Sequence, residues 1–170
     1  MKRQGLASFL AVLLSVAAAA GQNQTPIDTS KWKTYVNEKH GFEVKYPDTW
    51  NVHVGSGLGP EMISIDGPFR GTERPTLSLA IQPNQNSRRR SIEEWFGGQV
   101  YALAATPEAM GLLTIGGQAA VFMDNTNSFG KRRDTFTLLH ETDVLSLSFT
   151  SKAEYDPTYA AMVGTFRVVK

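Results

Sequence analysis

The sequence predicts an α+β domain, an antiparallel β-sheet with helices packed on it. Runs of strand length with two-residue alternation outnumber helix-like stretches. Short glycine-rich or polar turns join most of those runs, as in hairpins. No strand–helix unit repeats along the chain, which argues against a doubly wound parallel sheet.

The strand signals come in order. Phe42, Val44 and Tyr46 alternate with Glu43 and Lys45, giving one apolar face. Gly41 permits a turn before this strand. Pro47 stops it, since proline has no amide to donate to a central ladder. Trp50, Val52 and Val54 restart the alternation. Met62–Asp66 reads as a short strand, and Leu77, Leu79 and Ile81 alternate with Ser78 and Ala80. Leu112–Ile115, the Gly116-Gly117 turn and Gln118–Met123 read as a hairpin, followed by a polar loop over 124–132. Thr135–His140 and Val144–Thr150 form a second hairpin, with Leu145, Leu147 and Phe149 on one face. Arg167-Val168-Val169 closes the chain as a short strand or tail.

Two helices are predicted. Ser91 with Glu94 makes a capping box, and Ile92, Trp95, Phe96, Val100 and Leu103 then share one helical face. Gly97-Gly98 weakens this helix by about 1 kcal/mol per glycine relative to alanine; close packing on a sheet would account for the pair. Asp156-Pro157 starts the second helix, with Asp as cap and Pro in the first turn. Tyr155, Tyr159, Met162, Val163 and Phe166 follow at helical spacing.

The ends and the composition bound the compartment and the partners. Lys2-Arg3, the apolar run Leu6–Ala20 and the small residues Ala18-Ala19-Ala20 predict a signal peptide over 1–20. A polar, aperiodic stretch over 21–31 reads as a flexible leader, and 32–170 as one globular domain. The protein is therefore expected to be exported, to the periplasm or beyond, without membrane insertion after cleavage. The chain has no cysteine, which removes disulfides, thiolate metal sites and cysteine nucleophiles together. Its net charge is +1, and loss of Lys2 and Arg3 takes the 17 basic residues to 15 against 16 acidic ones. Such a balance offers no general attraction to nucleic acid or anionic membrane. The run Arg88-Arg89-Arg90 reads as a solvated loop.

Tyr35, Asn37, Gly41-Phe42, Tyr46-Pro47 and Trp50, at these spacings, resemble the start of the PsbP-like domain and its exported bacterial relatives. Ile115-Gly116-Gly117-Gln118-Ala119 is similar to that family's glycine hairpin, and Thr165-Phe166-Arg167-Val168 to its closing segment. The resemblance spans roughly Trp32 to Val169. It implies an α/β/α sandwich around an antiparallel sheet and a mostly non-catalytic role: an extrinsic photosystem subunit in the best-known case, assembly factors in others. No partner-facing residue is carried over, because none matches residue by residue. The aromatic set itself is expected to pack in the core.

A search for chemistry finds no coherent set, so catalytic, cofactor and metal residues are all read as none. His40, His53 and His140 lack the i, i+4 spacing of a helical metal pair. His40, beside a turn glycine, is expected to be exposed, and His53 lies opposite the apolar phase of its strand. His140, Glu141 and Asp143 are the nearest approach to a metal set, but adjacent strand residues point to opposite faces. Gly55-Ser56-Gly57-Leu58-Gly59 is out of register for a nucleophile elbow and lacks the Gly-Lys of a phosphate loop. The expected function is a non-enzymatic binding or accessory domain with a protein partner in the cell envelope. The candidate contact loops are Gly55–Pro60, Gly67–Pro75 and Asn84–Arg90. The alternatives are a small-molecule or ion carrier with a pocket near Trp95 or Tyr159, and a hydrolase.

Overall fold

The computed structural model describes the backbone of residues 26–55, 60–69, 71, 74–103, 110–126, 132–150 and 156–169. The signal-peptide segment, most of the leader and residues 56–59 lie outside the described residues, as do the side chains of Val100 and Leu103.

Ten strands and two helices follow in the order β1 (Lys33–Asn37), β2 (Phe42–Tyr46), β3 (Asn51–Gly55), β4 (Glu61–Asp66), β5 (Thr76–Gln82), α1 (Ile92–Leu103), β6 (Met110–Ile115), β7 (Gln118–Thr126), β8 (Arg132–His140), β9 (Asp143–Thr150), α2 (Asp156–Thr165) and β10 (Arg167–Val168). The fold is α+β and its strand pairs are antiparallel, as the alternation and the hairpins predict.

One expected sheet is in fact two. A three-stranded sheet runs β1-β2-β10, and a seven-stranded sheet runs β3-β4-β5-β9-β8-β7-β6. The break falls at Pro47, between β2 and β3, where the chain leaves one sheet for the other. β7 and β8 also run further than expected. Their ladder continues through Asp124↔Asp134 and Thr126↔Arg132, so residues 124–126 and 132 of the polar segment read as a loop over 124–132 are paired strand, and 127–131 lie outside the described residues. Backbone pairing carries a hairpin past the end of its apolar pattern.

The seven-stranded sheet is covered on both faces. On one face Leu77, Leu79, Ile81, Leu145, Leu147 and Phe149 meet Phe42 and Val44 of β2, Tyr159 and Met162 of α2, and Phe166. On the other, Ile92 and Phe96 of α1 bury Val121, with Trp95, Met123 and Leu139 around them. The α1 capping box forms in both directions: the Glu94 amide donates to Ser91 Oγ at 3.2 Å and the Ser91 amide to Glu94 Oε2 at 3.3 Å. Gly97 is not a packing glycine, since a Cβ there would meet nothing within 4 Å.

The aromatic opening is core packing. Phe42 and Trp50 are buried, while Trp32, Tyr35 and Tyr46 lie half-buried against the same cluster. Phe42 stacks on Phe166 at 5.5 Å, and Trp50 meets Tyr159 edge-on at 6.1 Å. Gly67 lets Trp50 approach, because a Cβ there would lie 2.8 Å from its ring.

Candidate functional site

The register sorts the loops. Glu61 lies opposite Ile81 and Asp66 opposite Thr76. Gly55 of β3, Glu61 of β4 and the Asn84–Arg90 loop are therefore at one end of the seven-stranded sheet, and the described residues of the Gly67–Pro75 loop are at the other. The described parts of the three candidate contact loops therefore do not share one end of the sheet.

His40 sits at the first end, and it is not exposed: its side chain keeps 6% of its accessible surface. The turn after β1 folds back so that the His40 amide donates to Asn37 Oδ1 at 3.0 Å. Gly41 completes this turn at φ +61°, with its carbonyl accepting from the Val169 amide at 2.8 Å. A Cβ on Gly41 would lie 2.7 Å from the Val169 carbonyl oxygen and 3.1 Å from His140 Nε2. Beside a turn glycine an exposed side chain is expected. The same turn instead drives the imidazole between the two sheets.

Two carboxylates meet the ring from different strands. His40 Nδ1 lies 2.9 Å from Asp143 Oδ2 of β9, and Nε2 lies 3.4 Å from Glu61 Oε2 of β4. A carboxylate only accepts, so only the doubly protonated ring donates at both nitrogens. Glu61 also takes Lys39 Nζ at 2.6 Å and Asn37 Nδ2 at 3.3 Å. Asn37 Nδ2 also reaches the Tyr35 hydroxyl at 3.3 Å. Asp143 Oδ1 takes the Asn84 amide at 3.1 Å, while the Thr142 hydroxyl donates to Asn84 Oδ1 at 3.2 Å. Four segments of chain are pinned together here.

The charges respond to those partners. The Lys39 ammonium, helped by Asn37 and His40 against partial burial, holds the Glu61 carboxyl below its usual range. Burial works to raise Asp143, but the Asn84 amide, His40 and Thr142 outweigh it and hold that carboxyl low as well. Burial pushes the Tyr35 phenol up.

The two carboxylates face opposite ring nitrogens and do not converge on one point, and among the described residues no three such ligands do. His140, Glu141 and Asp143 are not brought together as a set: Asp143 is committed to His40, and Glu141 is exposed in a left-handed turn at φ 53°.

The Asn84–Arg90 loop is ordered around the buried Asn86. Its side chain donates to the Arg90 carbonyl and accepts from the Arg90 amide, both at 3.0 Å, and its own amide donates to the Thr142 carbonyl. Arg88 and Arg89 stay exposed, as a solvated loop requires, and Arg90 is half-buried.

At the opposite end, Asp66 is buried and holds Thr76 Oγ1 at 2.8 Å and Arg74 Nη1 at 3.3 Å, with the exposed His53 at 3.6 Å. The Arg74 guanidinium lies 5.1 Å above the ring of Phe69, which is 67% exposed.

A solution structure of cyanobacterial PsbP (CyanoP) from Synechocystis sp. PCC 6803 superposes with a TM-score of 0.55 at 11% identity, over 86% of this chain and 98% of that one. The fold is PsbP-like. A crystal structure from Bacteroides thetaiotaomicron VPI-5482 superposes with a TM-score of 0.54 at 15% identity, over 81% of this chain. This chain spans 48% of the length of that protein. No protein-family model and no curated protein sequence matches the chain. At these identities the PsbP-like likeness concerns the fold, and function must be argued from the residues.

Proposed function

We propose that the protein is an exported, non-catalytic accessory domain that works by binding a protein partner in the cell envelope. One observation carries this reading. Among the described residues, the convergence of titratable groups around His40 spends its bonding capacity inside the protein: His40, Glu61, Asp143, Asn37 and Asn84 are each bonded to one another or to a neighbouring turn. A catalytic cluster keeps a nucleophile or base free to meet substrate, whereas this one ties two sheets and two loops into a rigid frame. The PsbP-like fold supports the accessory reading, and the basic, apolar and small-residue segments at the start support export.

The carrier reading loses support around Tyr159. That side chain is buried against Phe149 at 4.4 Å and Trp50 at 6.1 Å, so aromatic rings fill the expected pocket.

The experiment is affinity capture with the processed chain from its own envelope extract, followed by reconstitution with purified components. One protein that co-elutes with it in stoichiometric amount is the expected result. Turnover of esters or phosphoesters by the purified chain, abolished by His40→Ala, would overturn the reading.

A further inference from the structure

We infer that His40 is a proton-operated clasp between the two sheets, closed while its ring carries both protons and loosened at Glu61 once the Nε2 proton leaves. This stands apart from the accessory reading, which a clasp that never loosens would leave intact.

His40 lies in the turn between β1 and β2 of the three-stranded sheet, and its two carboxylate partners lie on β4 and β9 of the seven-stranded one. The ring keeps 6% of its accessible surface, so water does not freely replace a lost partner. Among the described residues, the titratable and charged groups around it come from five places. They are Glu61 of β4, Asp143 of β9, Lys39 of its own turn, Tyr35 of β1 through Asn37, and His140 of β8 across Gly41.

The two halves of the clasp differ. A ring with one proton keeps one donor, and the contact that retains it is the shorter one, 2.9 Å to Asp143. The lone pair left on Nε2 then faces Glu61 Oε2 at 3.4 Å, acceptor against acceptor. Glu61 can leave the ring without becoming an unpaired charge, because Lys39 Nζ holds it at 2.6 Å. What still ties the turn to β4 is weak. The Lys39 side chain is 70% exposed, and the Asn37 amide is shared between Glu61 and the Tyr35 hydroxyl. Exposed ion pairs of this kind contribute little.

The neighbours leave the imidazole as the group that changes charge. Glu61 and Asp143 are held below their usual range and stay ionised as pH rises, while burial pushes the Tyr35 phenol up. An imidazole ordinarily changes charge between about pH 5 and 8. The Nε2–Glu61 contact is therefore present on the acid side of that change and lost on the alkaline side. Two amides report on the turn: that of His40, which donates to Asn37 Oδ1, and that of Val169, which donates to the Gly41 carbonyl.

The test is amide hydrogen exchange by NMR on the purified processed chain over about pH 5 to 9, a range that brackets an imidazole. Rates are read as protection factors, which cancels the pH dependence of the exchange chemistry. The His40 and Val169 amides are expected to lose protection by about tenfold or more as pH rises, with the β5 and β9 amides unchanged. The nitrogen-15 signals of the His40 ring should report the same step, with Nε2 and not Nδ1 losing its proton. His40→Gln should abolish the pH dependence. Glu61→Gln should also remove it, since a glutamine amide can donate to a bare Nε2. His140→Gln should leave it in place. Protection that does not change with pH, a change that persists in His40→Gln or in Glu61→Gln, one that vanishes in His140→Gln, or loss of the Nδ1 proton first would each overturn the inference.

Discussion

His40 shows how one side chain joins parts of the molecule that share no strand pairing. It comes from the turn beside the three-stranded sheet and meets Glu61 and Asp143, both on the seven-stranded one. Both carboxyls are held low in the folded state, so the sign of the linkage is definite. Their stabilisation is complete above the ordinary carboxylate range, about pH 4, and is lost as pH falls through the folded-state values. Urea midpoints measured from pH 7 down to pH 3 should therefore fall on the acid side. Asp143→Asn or Glu61→Gln should make that fall shallower, and an unchanged acid limb would contradict the assignment. Gly41 is the other decisive residue. An alanine there must hold a left-handed backbone, costing roughly 1–2 kcal/mol, and must also crowd the Val169 carbonyl. Gly41→Ala should lower the urea midpoint accordingly, whereas Gly71→Ala, with a similar φ but open space, should show the backbone cost alone.

At the scale of elements, α1 is a helix with a good start and a poor interior. The reciprocal Ser91–Glu94 cap is worth about 1 kcal/mol, and Ser91→Ala should lose it. Gly97 opposes the helix without any packing return, so Gly97→Ala should gain up to about 1 kcal/mol, read as a rise in thermal midpoint. The cap was legible in the sequence because its chemistry is local. The role of Gly97 was not, because a glycine that admits a close neighbour and one that faces solvent look the same without the neighbour. Strand alternation placed β2, β5 and β9 on their correct faces, since a two-residue period follows from the pleat itself. It missed β1 as a separate strand: Lys33, Thr34 and Val36 are exposed, and pairing with β2 rather than an apolar stripe makes that segment extended.

Across the whole molecule, one continuous core unites both sheets and α2. Phe166 lies at its centre, stacked on Phe42 of the three-stranded sheet and clustered with the inner face of the seven-stranded one. Phe166→Ala should cost about 3–5 kcal/mol. Since the core is shared, near-ultraviolet and far-ultraviolet signals should still fall in one coincident urea transition. Separate transitions would show that the sheets unfold independently.

By itself the sequence determined the α+β class, the antiparallel hairpins, the capped helix and the aromatic core, because each rests on periodicity or on contacts within a few residues. The tertiary structure alone decided that the strands divide into two sheets, that the candidate loops separate to opposite ends, and that His40 is buried between two carboxylates. Those features join residues 21 and 103 positions apart in the chain. Such pairings depend on how the two sheets pack, and no local pattern records that.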